Sequence, residues 1–437
     1  MREDYLKNQW QRYPSLTRDR SDESNEASGG LSHGRIEVID FQKSTLKLGW
    51  AGQSVLWRLE KNFKLGFFSP NDDFVEHDVG GEVLVSGDIV RVKLTENRVV
   101  AVELLVPCQG IGKAISGMQM DRQARWQRYI SSIRSFFKLH HFHEVETPFL
   151  VPSPGAEEHL HGFKAQLKIG KQVRELYLPT SPEFHLKKSL CMGYSKIFEI
   201  KSCFRNFEIG IHHQPEFTML EWYRAFSNIE KIMDDVEQLV SYLHANGFAE
   251  TAGRMEIRRF TVAEAFQRIL DFPLRADTSR DDLMKCLQQL RIHFTADDSW
   301  DDLFFRLMIE KIEPELTKMG PLLLYNYPPT QAALARLNGE GWAKRFEFYW
   351  NGLEIANAFD ELNDPLIQRQ RLADTNRRRT RNGNEQLPVD EEFLASLDYG
   401  LPPSGGIALG VERLFMAMEN VKSIQELKLF PHRESRD

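Results

Sequence analysis

The sequence predicts an α+β protein with a small N-terminal β module and a larger mixed domain. Three observations support this prediction. Short β-branched runs separated by Gly and Asn-Asp fill residues 31–110, apolar residues recur at helical spacing after Asp121, and strand and helix patterns then continue without an internal repeat. A chain of 437 residues with 41% apolar and 27% charged residues has the length for two or three domains and the composition of a globular protein.

The composition excludes several classes of protein. No apolar run approaches the roughly 18 residues that a membrane-spanning helix needs, and the N-terminus MREDYLKNQW lacks the apolar segment of a secretory signal. The 4 cysteines form no CxxC pair, which argues against a disulfide scaffold or a structural zinc site. A net charge of −7 argues against a protein whose whole surface binds nucleic acid. We therefore expect a cytoplasmic protein with no membrane segment.

The chain divides into three predicted regions. Residues 1–30 are polar and end in Gly-Gly, so we expect a flexible tail. Residues 31–110 are expected to form a five-stranded barrel of the OB type, because their β-like runs recur roughly every 8–12 residues. Residues 118–437 are expected to form the mixed α/β domain that carries the chemistry.

Two predicted strands at 196–205 and 216–223 flank a loop and form an antiparallel pair. Alternation places Arg205 at the end of one face of the first strand, and Glu221 and Tyr223 on one face of the second. Arg205 is suited to hold a phosphate or carboxylate, and Glu221 offers a negative charge to an amine. The alternative is a sheet that carries a surface ion pair.

The segment TSPEFHLKKSLCMG predicts a short helix. Ser181 suits its N-cap, Pro182 its first position and Gly193 its end, and Glu183 in the first turn suits the helix dipole. On these residues alone, the simplest interpretation is a well-capped helix.

The Asn-Gly dipeptide at 351–352 lies between apolar runs and predicts a hairpin with a two-residue turn. Such a turn pairs Tyr349 with Glu354 and Glu347 with Ala356, so that Glu347 and Glu354 are diagonal neighbours on one face. These two carboxylates either share a Mg²⁺ ion bound to a triphosphate or belong to a solvated face.

The segment SGGIALGVERLFMAME predicts a strand followed by a helix. Gly410 permits close approach of another group to the backbone. Arg413 in the first helical turn opposes the helix dipole, which indicates an anionic ligand. Six arginines make the predicted helix 364–382 basic, so this helix is either solvated or a docking surface for an acidic protein or RNA.

These segments, in this order, resemble the catalytic domain of class II aminoacyl-tRNA synthetases, most closely its lysine branch. FHEVETP resembles the first motif of the class, CFRNFEIGIHHQPEFTMLEWY the second and GGIALGVERL the third, while TSPEFHLKK and GLEIANAFDELND resemble the lysine-specific segments between them. The resemblance covers roughly residues 120–430. It implies an antiparallel sheet of six or seven strands flanked by helices, and a homodimer formed through the first motif.

Within the lysine branch, the chain is most similar to the ligases that attach (R)-β-lysine to a lysine side chain of elongation factor P. EFYWNGLEIANAFDEL, the Arg-rich helix, LPVDEEFLASLDYGLPP and GIALGVERL carry this similarity. Ala408 supports it, because lysyl-tRNA synthetases generally have Gly at this position and the ligases have Ala. The resemblance implies that this methyl group shapes the pocket for (R)-β-lysine, and that ATP and Mg²⁺ are the cofactors.

The resemblance also assigns roles to individual residues. Arg205 and Arg413 are the expected catalytic residues, at the α- and γ-phosphates of ATP. The expected ATP contacts are Arg205, Asn206, His213, Gln214, Glu354, Ile355, Gly410 and Arg413. The expected amino-acid contacts are Ser181, Pro182, Glu183, Glu221, Tyr223, Glu361 and Ala408. Glu347 and Glu354 are the expected Mg²⁺ ligands.

Three features differ from the ligase pattern. The Arg-Asn-Glu triplet of the family is Arg205-Asn206-Phe207 here, with Glu208 one residue further on and on the opposite alternation. The family's Asn before Pro is Gln214. The ligases also lack an N-terminal extension, whereas lysyl-tRNA synthetases carry an anticodon-binding barrel there.

Three functions therefore remain open at the level of sequence. The first is a ligase that activates lysine or (R)-β-lysine and transfers it to elongation factor P. The second is a lysyl-tRNA synthetase, which the N-terminal β module favours. The third is a catalytically inactive, synthetase-like binding protein, which Phe207 favours.

Overall fold

The computed structural model describes residues 31–40, 43, 45–50, 53–68, 74–76, 84, 88–96, 98–106, 120–155, 157–158, 160–249 and 256–432. The chain divides into two compact units between Arg128 and Tyr129. None of the helices in these ranges combines the length and the apolar character needed to cross a bilayer. The predicted tail at 1–30 lies outside the described residues. The predicted end of the β module at 110 and the predicted ends of the larger domain at 118 and 437 also lie outside them.

The described part of the N-terminal unit is a β module. Its strands are β1 (Leu31–Asp40), β2 (Thr45–Trp50), β3 (Gln53–Phe68), β4 (Phe74–Glu76), β5 (Ile89–Thr95) and β6 (Arg98–Val106). Five of them form a closed ring in the order β1-β2-β3-β6-β5, in which β3 and β6 are the parallel pair. Alternate residues of β5, such as Val90 and Val92, are fully buried in this ring. The predicted barrel-like module is therefore confirmed.

The second unit is built on a large sheet. Its strands are β7 (His143–Glu144), β8 (Lys164–Ile169), β9 (Gln172–Tyr177), β10 (Lys196–Phe204), β11 (Glu216–Ala225), β12 (Arg258–Thr261), β13 (Leu322–Tyr327), β14 (Ala343–Trp350), β15 (Leu353–Asp360) and β16 (Ser404–Gly410). Among the described residues, eight strands form one sheet in the order β12-β13-β14-β15-β16-β11-β10-β7, and β8 and β9 form a separate hairpin.

The inner strands of the large sheet are antiparallel, as the resemblance implies. The sheet has eight described strands rather than six or seven, because the two-residue β7 and the four-residue β12 extend its edges. Both edge strands pair in the parallel direction, β7 with β10 and β12 with β13.

Helices flank the sheet. They are α1 (Met120–Leu139), α2 (Glu183–Cys191), α3 (Ile229–Ala245), α4 (Val262–Leu270), α5 (Arg280–Gln289), α6 (Trp300–Leu307), α7 (Glu313–Leu316), α8 (Pro365–Arg381), α9 (Glu391–Gly400) and α10 (Val411–Glu419). A π-helical turn at Met308–Ile312 joins α6 to α7. Short 3-10 turns lie at Thr317–Met319, Pro329–Gln331 and Ile424–Glu426.

Two aromatic contacts position the later site, one between a helix and the sheet and one between two helices. Phe137 of α1 stacks on Phe198 of β10, with ring centroids 4.6 Å apart, and this contact fixes the strand that ends before Arg205. Phe184 of α2 stacks on Phe393 of α9, with centroids 4.3 Å apart. Because aromatic pairs add stability beyond their buried area, α2 is held firmly at the end of the sheet.

Candidate active site

A cavity of about 1010 Å³ lies in the second unit, between the large sheet, α2, α8 and the start of α10. The predicted site residues that line it are Ser181, Glu183, Arg205, His213, Gln214, Tyr223, Glu347, Glu354, Ile355, Ala408, Gly410 and Arg413. Four predicted residues do not line it, namely Pro182, Asn206, Glu221 and Glu361. Most of the predicted constellation is therefore brought together, although its members are more than 200 residues apart in sequence.

Two guanidinium groups lie at one end of the cavity. Arg413 is the third residue of α10; its Nη1 donates to the carbonyl oxygen of Glu354 at 2.9 Å, and its Nη2 lies 2.6 Å from His213 Nε2. Desolvation and the positive charge of Arg205 lower the pKa of Arg413, although the Glu354 carboxylate partly opposes this. Arg205 Nε is buried and has no hydrogen-bond partner among the described residues. Two close cations and an unpaired N–H group are suited to an anion such as a phosphate.

His213 is held as a neutral imidazole at this end. Arginine can only donate, so the His213 Nε2 atom facing Arg413 must accept and the proton lies on Nδ1. Desolvation and the charge of Arg413 lower the pKa of His213, which agrees with this assignment. The neighbouring Gln214 is 2% exposed, and its Oε1 accepts a hydrogen bond from the backbone N–H of His432. Its amide group therefore ties down the C-terminal segment as well as lining the cavity.

The carboxylate hairpin differs in register from the prediction. Tyr349 pairs with Glu354 as expected, but Glu347 pairs with Asn357 instead of Ala356. The cause is a β-bulge between the Phe348–Ala356 and Tyr349–Glu354 pairs, where Ile355 is the extra residue of β15. Glu347 and Glu354 still both face the cavity, so the predicted pairing of carboxylates is retained.

The two hairpin carboxylates have different environments. Glu347 is 7% exposed; Arg345 pairs with it, and the hydroxyls of Tyr327 and Tyr349 both donate to its Oε2 at 2.6 Å. Within the described part of the chain, no hydrogen bond reaches the Glu354 carboxylate, which is open to the cavity. Desolvation by the surrounding protein and the negative charge of Glu347 raise the pKa of Glu354 to about 7.

This donor set fits a hard divalent cation that also binds phosphate. The described residues contain no group of three or more His, Cys, Asp or Glu side chains arranged around a metal position. Mg²⁺ does not require one, since it commonly uses one or two carboxylates together with phosphate oxygens and water. A cation at the unpaired Glu354 carboxylate would also relieve its repulsion with Glu347.

The other end of the cavity is acidic. Glu221 is fully buried; Ser181 Oγ donates to its Oε1 at 2.5 Å and the Tyr223 hydroxyl donates to its Oε2 at 3.1 Å. Burial and the nearby charge of Glu183 raise the pKa of Glu221 well above its ordinary value. Ala408 lies directly opposite Glu221 on the neighbouring strand, and its methyl group lines the cavity. The recess is thus walled by carboxyl, hydroxyl and methyl groups.

The helix that carries Glu183 begins one residue later than predicted. Pro182 is at the N-cap instead of the first helical position, and Ser181 Oγ accepts from the backbone N–H of Glu183 at 3.0 Å. Ser181 still accepts a hydrogen bond from a backbone N–H group at the start of α2, but it lies one residue before the N-cap. The same hydroxyl donates to Glu221, so it links α2 to β11.

One residue of this end was not identified from the sequence. Lys187 is fully buried on α2 and contacts both Glu183 and Glu361. The spacing of Glu183 and Lys187 by four residues on a helix was the available signal, because such pairs face each other. The contact between Lys187 and Glu361 has no such local signal, because Glu361 lies on a different element.

The loop after Arg205 places Glu208 in the cavity wall and Phe207 outside it. Phe207 has a left-handed backbone (φ 63°), is 81% exposed and packs edge-on against His161. Because β10 ends at Phe204, strand alternation does not extend to these residues. The expectation that Glu208 lies on the opposite alternation is therefore wrong. Glu208 lines the cavity and supplies an acidic group there, together with Arg205.

The arginines of α8 are mostly engaged within the chain. Arg379 is 2% exposed and donates to the carbonyl oxygens of Glu157, Glu158, Leu160 and Glu385. Others pair with carboxylates or carbonyls, as Arg369 with Glu391, Arg377 with Asp374, Arg378 with Glu158, and Arg371 with Ala333 and Ala335. The interpretation of α8 as a solvated basic face is wrong for the buried Arg379, whereas Arg369, Arg377 and Arg378 are exposed, as that interpretation expects. One consequence is that α8 holds the cavity-lining residues Glu157 and Glu158 in place.

Comparison with known proteins agrees with this geometry. The family model "tRNA synthetases class II (D, K and N)" matches residues 119–434. The chain is 36% identical to "Elongation factor P--(R)-beta-lysine ligase" of Hamiltonella defensa subsp. Acyrthosiphon pisum (strain 5AT) over 309 residues, which are 69% of this chain and 92% of that protein.

Two further relatives carry the same name. The chain is 37% identical to that of Proteus mirabilis (strain HI4320) over 312 residues, covering 70% of this chain and 93% of the relative. It is 38% identical to that of Edwardsiella ictaluri (strain 93-146) over 309 residues, covering 69% and 92%. The chain therefore belongs to the class II tRNA synthetase family, and within it to the group of ligases that contains these relatives.

Proposed function

We propose that the protein is an ATP-dependent ligase that activates lysine or (R)-β-lysine as an aminoacyl-adenylate and transfers it to a lysine side chain of elongation factor P. The observation that carries this proposal is the single cavity, with two guanidinium groups and a carboxylate hairpin at one end and an acidic recess at the other. The names of the relatives supply the amino acid and the acceptor.

In the first step, a carboxylate oxygen of the amino acid attacks the α-phosphorus of ATP, and the bond to pyrophosphate breaks. Arg205 is suited to neutralise the α-phosphate and the attacking carboxylate, and Arg413 the γ-phosphate. His213, as a neutral acceptor, keeps the Arg413 guanidinium oriented. Glu347 and Glu354 would hold Mg²⁺, which supplies further charge neutralisation at the phosphates when bound.

In the second step, the amine of the acceptor lysine attacks the activated carbonyl carbon, the amide forms, and AMP leaves with the carboxylate oxygen. The acceptor amine loses its proton in this step. No covalent enzyme intermediate is needed, so the role of the protein is to position the reactants and stabilise charge. Gly410 and Ile355 line the nucleotide end of the cavity, and Ala408 lines the amino-acid end, where its methyl group reduces the space beside Glu221.

Charging of tRNA with lysine is a second candidate, favoured by the β module that precedes the region matched by the family model. Under either function we propose a cytoplasmic homodimer, with residues 31–110 as a separate module and residues 118–437 as the catalytic domain. The family resemblance of the first motif supports the dimer.

Pyrophosphate exchange tests the activation step. The wild-type chain should exchange pyrophosphate into ATP with lysine or (R)-β-lysine, and Arg205→Ala should reduce exchange more than about 100-fold because a charge-assisted contact to the reacting phosphate is lost. The exposed Arg174 of β9 gives a matched control, since Arg174→Ala should retain exchange. Normal exchange by Arg205→Ala would remove our assignment of the site.

The acceptor is tested separately. Labelled amino acid is offered with elongation factor P or with tRNA, and the labelled product identifies the acceptor. Label on tRNA alone would favour the second candidate. The absence of adenylate formation with either amino acid would favour a catalytically inactive binding protein.

A further inference from the structure

A buried lysine lies behind the acidic end of the cavity. Lys187 on α2 has a fully buried side chain, and its Nζ lies 2.6 Å from Glu183 Oε1 and 2.6 Å from Glu361 Oε2. Burial alone would lower the pKa of Lys187, but the two carboxylates raise it well above its ordinary value, so the lysine is charged. Lys187 is thus an internal cation between two carboxylates of different elements.

The two carboxylates differ in their access to the cavity. Glu183 lines the cavity, whereas Glu361 is fully buried and does not line it. In the described part of the chain, Lys187 is the charged partner of Glu361, whose oxygens have no other hydrogen-bond partner. Burial raises the pKa of Glu361, and the positive charge of Lys187 opposes this shift because it favours the ionised carboxylate. Glu361 therefore has no direct access to the cavity, and Lys187 links it to Glu183, which does.

The backbone makes room for this arrangement. A Cβ atom at Gly406 on β16 would overlap Glu361 Oε1 and the ring of Tyr223, so only glycine lets the Glu361 carboxylate lie against the strand. The sheet thus fixes the position of Glu361. Because Lys187 contacts both carboxylates, it holds Glu183 of α2 in a fixed position relative to Glu361.

We propose that Lys187 is a positioning residue for the amino-acid substrate. It holds the Glu183 carboxylate at the cavity wall and balances the charge of Glu361. As a result, one carboxylate charge faces the ammonium group of a diamino acid. This inference rests on the proposed function, and it adds to it a residue that does not touch substrate. Without Lys187, two carboxylates would lie close together in a buried wall, where one must take up a proton and neither is held in place.

The test measures KM for the amino acid and for ATP separately, by pyrophosphate exchange. Lys187→Met keeps the length of the side chain and removes its charge. We expect KM for lysine or (R)-β-lysine to rise about 10- to 100-fold, the range for loss of a charged hydrogen bond, with KM for ATP unchanged. A general loss of structure would not separate the two KM values in this way.

The next residue on the same helix provides a matched control. Lys188 is 11% exposed and pairs at 2.8 Å with Asp390, the N-cap residue of α9, away from the recess. Lys188→Met should lower the melting temperature through loss of this pair but leave KM for the amino acid unchanged. If Lys188→Met raises KM for the amino acid as much as Lys187→Met does, the proposal is overturned.

Glu361→Gln provides a second, independent variant should Lys187→Met fail to fold. It also should raise KM for the amino acid without changing KM for ATP, although Glu361 does not line the cavity. A normal KM for the amino acid in this variant overturns the inference alone. Failure of the wild-type chain to exchange pyrophosphate with either amino acid overturns the proposed function, and this inference with it.

Discussion

Binding of a divalent cation to the Glu347–Glu354 pair should depend steeply on pH around neutrality. Metal ions bind the ionised carboxylate, so the apparent affinity follows the ionised fraction of the ligand. Glu354 has a pKa raised to about 7 by desolvation and by the charge of Glu347. From that value the ionised fraction is about 9% at pH 6 and about 91% at pH 8, a ratio of about tenfold.

Titration of the chain with Mn²⁺ alone, without nucleotide, measures this effect. The affinity should rise about tenfold from pH 6 to pH 8 in the wild type, and Glu354→Gln should bind weakly with little pH dependence. Glu208→Gln is the matched control, because Glu208 lines the same cavity but lies outside the hairpin, and it should retain the pH dependence. Equal affinity of the wild type at both pH values would refute the reasoning, as would unchanged binding by Glu354→Gln.

Two further predictions concern packing around the cavity, and both are checked by thermal unfolding. Gly406→Ala should destabilise the protein by about 1–3 kcal/mol, since its new methyl group overlaps the Tyr223 ring, and should also raise KM for the amino acid. Gly339→Ala meets open space and should have little effect; equal destabilisation by both would contradict this explanation. Arg379→Met should cost about 3 kcal/mol, because a buried guanidinium that serves four carbonyl oxygens is lost. The exposed Arg377→Met should cost about 0.5 kcal/mol, and a smaller loss for Arg379→Met than for Arg377→Met would show that the buried contacts are unimportant.

The local features of the second unit could be predicted from the sequence because they depend on near neighbours. The Asn-Gly turn fixed the pairing of Tyr349 with Glu354, and strict alternation placed Glu221 and Tyr223 on one face of β11, where the Tyr223 hydroxyl donates to Glu221. The β-bulge two residues beyond the turn left no local signal. It could not be predicted, and the pairing of Glu347 was wrong by one residue.

Features that depend on distant partners were missed for a physical reason. Arg379 looked like part of a solvated basic face, because the carbonyl groups that bury it lie about 220 residues earlier in the chain. Lys187 was not identified, because its second carboxylate partner, Glu361, directly follows β15 and is far from it in sequence. In both cases the charge was visible in the sequence and its burial was not.

The register of the large sheet sets the distance between the carboxylate hairpin at one end of the cavity and the acidic recess at the other. Glu347, Asn357, Ala408 and Glu221 lie opposite one another on β14, β15, β16 and β11 in turn. Neighbouring strands are about 4.8 Å apart, so three strand spacings separate the backbone at Glu347 from the backbone at Glu221 by about 14 Å. The bulge in β15 is what brings Asn357 into this row; an unbulged hairpin would put Ala356 there and replace a polar amide by a methyl group. The bulge therefore sets the polarity of the sheet surface between the two ends, where our proposed function brings the carboxylate of the amino acid to the α-phosphate.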